Sequence, residues 1–329
     1  MKNPIASSAN LAILASIALS TPAFAQVIID YASVGNAGNA ADASGYGAVA
    51  YAYQIAKNEV TVSQYAQFLN AAAQTDNFGM WNSSMEINPS NNAGIGRAGS
   101  NGSYIYTVTG SGQRPISSVS WYNAARFTNW MHNGQGSGST ETGAYTLIFN
   151  SGIIIKNAAA TVWLPSEDEW YKAAYYDPTK NANAGGYWLH ANQSDTLAGN
   201  TIGVANSANY WDGDYVGSGT SSFPNGNGLT DVGAYGANSD SYYGTNDQGG
   251  NLIEWTDGVI GFTRAQRGGS WTDQDFILDS TYRDNQLPAD ANWSVGFRVV
   301  TTPVPEPSAV LLTFLAVGAS LTRRSRSPL

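Results

Sequence analysis

Cysteine is absent from all 329 residues of the chain. Disulfide cross-links, thiolate metal sites and cysteine nucleophiles are therefore excluded together. Histidine is nearly as scarce, with only His132 and His190. A catalytic zinc site ordinarily draws about three ligands among which histidine is prominent, and nothing here is spaced for one. Charge is also sparse. Charged residues make up 12% of the chain, with 15 Lys+Arg against 24 Asp+Glu and a net charge of −9. That sign repels phosphate backbones, which argues against a nucleic-acid partner. No proline-rich or charge-rich linker interrupts residues 26–302, so they read as one domain.

What the chain does have is glycine and aromatic rings: 36 Gly, 10 Trp, 19 Tyr and 10 Phe. Few charges with many aromatics is the reverse of a disordered composition. An aromatic core wrapped in long Gly/Asn/Ser loops is expected instead.

The two ends carry addresses. Lys2, the apolar run Leu11 to Leu19 and the small-x-small sequence Ala23-Phe24-Ala25 have the order of a secretory signal peptide over residues 1–25. At the other end, Pro305-Glu306-Pro307 precedes an apolar run from Ala309 to Leu321 and then Arg323, Arg324 and Arg326. A short membrane helix with arginines on its cytoplasmic side is the physical reading of residues 303–329. The segment resembles the PEP-CTERM sorting signal, which implies an exosortase-type sorting protease as a partner. Export, with membrane anchoring until processing, is the expected localisation.

Within the body, three helices declare themselves by their caps. Thr61 with Gln64 has the capping-box form, followed by Val62, Tyr65 and Leu69 on one face. Ser120 precedes Trp121, Ala124, Phe127 and Met131, a stripe that ends at Asn133-Gly134. Ser166 and Glu169 open the third helix, with Trp170, Ala173 and Ala174 as its buried stripe. Ala48 to Ile55, Ile148 to Ile155 and Val295 to Val300 read as strands. Loops near 81–112 and 181–245 are long, which usually marks function or metal bracing. Few helices, short strands and long loops make an α+β protein.

Several segments then fall in the order of one family. Glu59-Val60-Thr61-Val62, Arg114-Pro115-Ile116 with Val119-Ser120-Trp121, and Trp163-Leu164-Pro165-Ser166-Glu167-Asp168-Glu169-Trp170 come first. Asp247-Gln248-Gly249-Gly250-Asn251-Leu252-Ile253-Glu254-Trp255, Arg267-Gly268-Gly269-Ser270-Trp271 and Gly296-Phe297-Arg298 complete the set. The chain resembles the formylglycine-generating enzyme, or sulfatase-modifying factor, family from about residue 48 to 301. The resemblance implies a C-type-lectin-like fold rich in irregular structure.

It also implies chemistry that this chain lacks. Active members oxidise a substrate cysteine at a copper ion held by two cysteines, in the interval that here reads Thr272 to Thr281. That interval offers Asp273, Asp275 and Asp279, hard oxygen ligands that cannot replace thiolates for Cu(I). No copper is expected. Calcium is. By the resemblance, Asp247, the carbonyls of Gly250 and Leu252, and Glu254 would bind Ca2+, with oxygen-only ligands in a glycine-permitted turn. The competing reading pairs Glu254 with an arginine such as Arg267. A second calcium set would fall on Asn209, Tyr210, Asn225 and Asn227.

Function then divides. A non-catalytic, calcium-braced binding or structural module, exported to the cell surface or extracellular polymer, is the leading expectation, with polysaccharide or a surface protein as partner. An enzyme of unassigned chemistry on the same scaffold is the alternative, with carboxylate-based hydrolysis at Asp273, Asp275 and Asp279 as one form of it and a further metal site as another. Trp81, Trp188 and Trp211 lie in long loops where a ring can stack on sugar, though packing is the expected use of a large aromatic.

Overall fold

A computed structural model describes residues 26–86, 92–148, 154–216 and 228–303. The expected signal peptide and sorting segment, as well as Asn225 and Asn227, lie outside the described residues.

Helices α1 (Val62–Ala72), α2 (Trp121–His132) and α3 (Glu167–Tyr175) form where the caps place them. Thr61 Oγ1 accepts from the Gln64 amide while the Gln64 side chain accepts from the Thr61 amide, and Ser166 and Glu169 repeat the exchange. Each box satisfies donors that a bare helix end leaves orphaned. The buried faces of α1 and α2 meet in one aromatic cluster. Phe68 and Phe127 are edge-to-face at 5.5 Å, and Phe127 and Phe297 at 5.4 Å. All three rings are inaccessible to solvent, and burying each is worth roughly 1.5–3 kcal/mol.

Three two-stranded ribbons and two four-stranded sheets hold the described strands. One sheet orders Tyr31–Val34, Tyr53–Ala56, Val300–Thr301 and Val162–Trp163, all antiparallel. The other orders Asp284–Gln286, Thr263–Arg267, Ile253–Ile260 and Val295–Gly296, the last pair parallel. The run Val295 to Val300 is therefore not one strand. Its ends belong to different sheets, and Phe297 and Val299 between them pair through their carbonyls with the amides of Val60 and Ala56. That crossing delivers Arg298 into the space between the sheets. The expected strand Ala48 to Ile55 shrinks to Tyr53–Ala56. Of the expected strand Ile148 to Ile155, Ile154 and Ile155 join strand Ile154–Lys156, while Ile148 lies in no strand.

The loop tryptophans are anchors. The Trp81 indole donates to the Ile95 carbonyl at 2.7 Å, and Arg97 lies 3.9 Å over its ring. Trp188 donates to Asp177 at 3.1 Å beneath Lys180. Trp211, half-buried, donates its backbone amide to the Asp273 carbonyl.

Candidate functional site

The turn from Asp247 to Trp255 is built on backbone that side chains resist. Asp247 and Asn251 have φ of 58° and 59°, and Gly250 has φ of 85°. A Cβ on Gly250 would sit 2.3 Å from the Asn209 carbonyl oxygen, so only glycine fits. Asn209 clasps the turn from the far side. Its carbonyl accepts from the Asn251 amide, and its Nδ2 donates to Asn251 Oδ1 and to the Gly228 carbonyl. Asn209 and Gly250 thus belong to one structure, although the sequence placed them in separate calcium sets. Tyr210, buried beside Ala208 and Leu278, points to packing; burial first and Asp212 next push its phenol up to about 12. Leu252 is fully buried with Leu229 and Trp271.

Glu254 is engaged, and with a different arginine from the one the sequence offered. Its Oε2 accepts from Arg298 Nε at 2.7 Å and from the Trp170 indole at 2.8 Å, while Oε1 accepts from Arg298 Nη2 at 2.6 Å. The carbonyls of Ala56, Lys57 and Asn246 take the remaining Arg298 donors. Arg267 turns instead to Glu167, whose other oxygen holds Arg283.

Two more carboxylates share that interior. Asp247 Oδ2 accepts from the Gly233 amide at 2.6 Å. Burial pushes its carboxyl up to about 6, Gly233 and Arg298 pull it down, and Glu254 pushes it up again. Glu59 was not among the predicted site residues. Only 2% exposed, it has no hydrogen-bond partner on either side-chain oxygen. Burial, then Asp247 and Glu254, drive its carboxyl well above the usual range; Arg298 and its own amide oppose them. The neighbouring Asn58 Oδ1 is a further buried acceptor without a donor. Among the described residues no three His, Cys, Asp or Glu side chains converge closely enough to hold a metal by themselves. Amide or backbone oxygens must complete any cation site here. The orphaned acceptors on Asn58 and Glu59 are oxygen, the donor type that calcium takes.

The interval Thr272 to Thr281 is spent on structure. Asp273 Oδ2 accepts from both the amide and hydroxyl of Ser270, at 2.8 and 2.7 Å. Asp275 caps the next residue, accepting from the Phe276 amide. Leu278 is 1% exposed. Asp279 lies 3.5 Å from His190 Nδ1, with its carboxyl raised by burial and by Asp275; burial lowers His190. The cavity against His190, Asn192, Ser207, Asp247 and Leu278 measures about 20 Å³. That is room for about one water molecule and none for a sugar ring.

The larger opening lies elsewhere. A cleft of about 760 Å³ runs between the loop at Phe78–Ser84, the start of α2 and residues 289–291. Arg126 lies along one wall, paired with Glu141 at 2.7 and 2.9 Å, donating to Asn123 Oδ1, and stacked 4.7 Å over Phe78. Tyr122 lines it as well. Nothing local in the sequence joins Phe78, Tyr122 and Glu141; only the fold does.

Two four-stranded sheets with smaller ribbons, short capped helices and long clasped loops define an α+β domain of the C-type-lectin-like kind. The Sulfatase-modifying factor enzyme 1-like domain profile matches residues 34–303, and the chain belongs to that family. Comparison with solved structures gives several likenesses. Treponema denticola variable protein 1 is 19% identical with a TM-score of 0.50, over 85% of this chain and 98% of that one. CarF is 21% identical at a TM-score of 0.48, over 84% and 99%. PvdO from Pseudomonas aeruginosa is 15% identical at 0.44, over 83% and 92%. A search of curated proteins by sequence gives no match.

Proposed function

We propose that this protein is an exported, non-catalytic binding module in which calcium braces a sulfatase-modifying-factor scaffold. The observation that carries the reading is the fate of the Thr272–Thr281 interval. Where the family resemblance calls for a thiol pair, Asp273 closes a turn on Ser270 and Leu278 is buried as a packing residue. No thiol exists anywhere in the chain. The engagement of Asp273 with Ser270 and of Asp275 with the Phe276 amide argues against the hydrolytic alternative. The open cleft beside Tyr122 and Arg126 is the surface best shaped for a ligand, and polysaccharide of the cell surface or extracellular polymer is the partner its mixed aromatic and polar walls favour. The end sequences supply the route, a signal peptide and a sorting segment read by an exosortase-type protease.

Incubating the purified exported form with a panel of surface polysaccharides, with calcium and with EDTA, tests the reading. Retention on at least one polymer in calcium, reduced by chelation, is expected. Absence of binding to every polymer in calcium would sink it, as would turnover of a glycan or of a sulfatase-type thiol peptide.

A further inference from the structure

The open cleft holds one cationic side chain, and that cation is already spent. Arg126 Nε donates to Glu141 Oε1 at 2.7 Å and Nη2 to Oε2 at 2.9 Å, while Nη1 donates to Asn123 Oδ1 at 2.9 Å. Each guanidinium nitrogen is engaged, and its carbon lies 4.7 Å over the Phe78 ring. A bidentate pair of this kind satisfies an arginine in direction as well as in charge. The Arg126 side chain is 6% exposed, so an incoming anion would have to displace Glu141 to reach it. The amides beside it are occupied too. Asn123 Nδ2 donates to the Gly79 carbonyl, and Asn82 donates to the Ser118 carbonyl while accepting from the Ser84 amide. Among the described lining residues Arg126 and Glu141 are the only charged ones, so the wall carries no net charge. At the rim, Asp290 is exposed between the lining residues Ala289 and Ala291 and adds a negative charge.

We infer that the cleft selects uncharged polysaccharide, and that Glu141 sets this specificity by holding Arg126. The inference rests on the polysaccharide reading above and narrows it to one class of polymer. A neutral sugar ring offers an apolar C–H face to the half-buried Tyr122 ring and brings hydroxyls that need no counter-ion. A uronic acid or sulfated sugar would lose hydration from its charge against a wall with no cation to spare. The acidic rim and the net charge of −9 add repulsion at longer range. Glu141 acts through Arg126. With its carboxylate in place the guanidinium is a neutralised piece of wall; without it the same guanidinium becomes a bidentate seat for a carboxylate or sulfate.

Affinity electrophoresis of the full chain against polymers matched in backbone reads the selection: dextran with dextran sulfate, and hydroxyethylcellulose with carboxymethylcellulose. Wild type should be retarded by at least one neutral polymer, and equally so at low salt and at about 1 M NaCl, where the Debye length is about 3 Å. The charged counterpart of that polymer should bind at least about tenfold more weakly, the loss from one desolvated charge left without a partner. Glu141→Gln frees the guanidinium and should bind the charged counterpart at least about tenfold more tightly than wild type does, a gain that high salt removes. Stranding Arg126 can weaken the fold, so melting temperatures accompany every variant. Arg126→Met with Glu141→Met strands neither charge and should go on rejecting the charged polymer. Wild type that prefers the charged member of a pair would overturn the inference and leave the polysaccharide reading standing. So would a folded Glu141→Gln without the gain, or a double variant that acquires it. Retention of wild type by none of these polymers, nor by any in the wider panel, would overturn both.

Discussion

Glu254 and Arg298 meet side-on at the centre of the domain, each with 0% exposure, through hydrogen bonds of 2.6 and 2.7 Å. Their geometry joins the two sheets, because Glu254 lies on the long strand Ile253–Ile260 while Arg298 sits between strands of different sheets. Arg298 also gathers the carbonyls of Ala56, Lys57 and Asn246.

Breaking that pair from one side should be expensive. Glu254→Gln leaves a guanidinium buried with half its charge-assisted bonds gone, and removal of one partner from a buried pair typically costs about 3–5 kcal/mol. Glu254→Gln with Arg298→Met should cost less than the sum of the single changes, since neither charge is then stranded. Urea unfolding of the four proteins measures both quantities. A single-variant loss under about 1 kcal/mol would show that the pair does not hold the sheets together.

A second buried charge sets a pH dependence. Lys172 is inaccessible to solvent, its Nζ donates to the Asn36 carbonyl at 3.0 Å, and burial lowers its pKa to about 8. In the unfolded chain the amine returns to about 10.4. Below pH 8 both states hold the proton and this group adds no slope. From about pH 8 to 10 the unfolded chain keeps a proton the native chain has released, so stability rises with pH, by at most about 1.4 kcal/mol per unit. Above that window the tyrosines of the unfolded chain ionise, while burial keeps the hydroxyls of Tyr53, Tyr65 and Tyr145 protonated in the fold, and the slope reverses. Lys172→Met should flatten the rise when urea midpoints are compared at pH 7.5 and 9.5. An identical rise in the variant would refute the assignment to Lys172.

The three helices were legible in the sequence because a cap is a local exchange: Ser166 and Glu169 need only each other. The family pattern was equally legible, since its motifs sit at strand ends and turns whose residues are adjacent in the chain. Partner choice was not. Arg267 and Arg298 look alike in sequence, and only the crossing of residues 297–299 between sheets decides that Arg298 reaches Glu254 while Arg267 reaches Glu167. Glu59 stood in the first recognised motif, yet no neighbouring residue signals that its carboxylate is enclosed. Burial of a loop acid is a property of the packing around it, here Asp247 and Arg298 from the far end of the chain.

The cleft makes the last prediction. Tyr122 presents a half-buried ring supported edge-to-face by Trp121 at 6.1 Å, and its helix is anchored independently by the Ser120 cap. Truncating it should therefore remove ligand contact with little effect on the core. If polysaccharide binds in this cleft, Tyr122→Ala should weaken the polymer retained in the binding panel by roughly threefold to tenfold, the value of one aromatic contact. Phe78→Ala should do the same and also loosen Arg126, which stacks on that ring. Phe262, 94% exposed at the Ile260–Thr263 hairpin and outside the cleft, provides the control: Phe262→Ser should bind as wild type. Affinity gel electrophoresis in calcium reads all three. Unchanged mobility shifts in Tyr122→Ala and Phe78→Ala, with a loss in Phe262→Ser, would move the binding surface from the cleft to the hairpin tip.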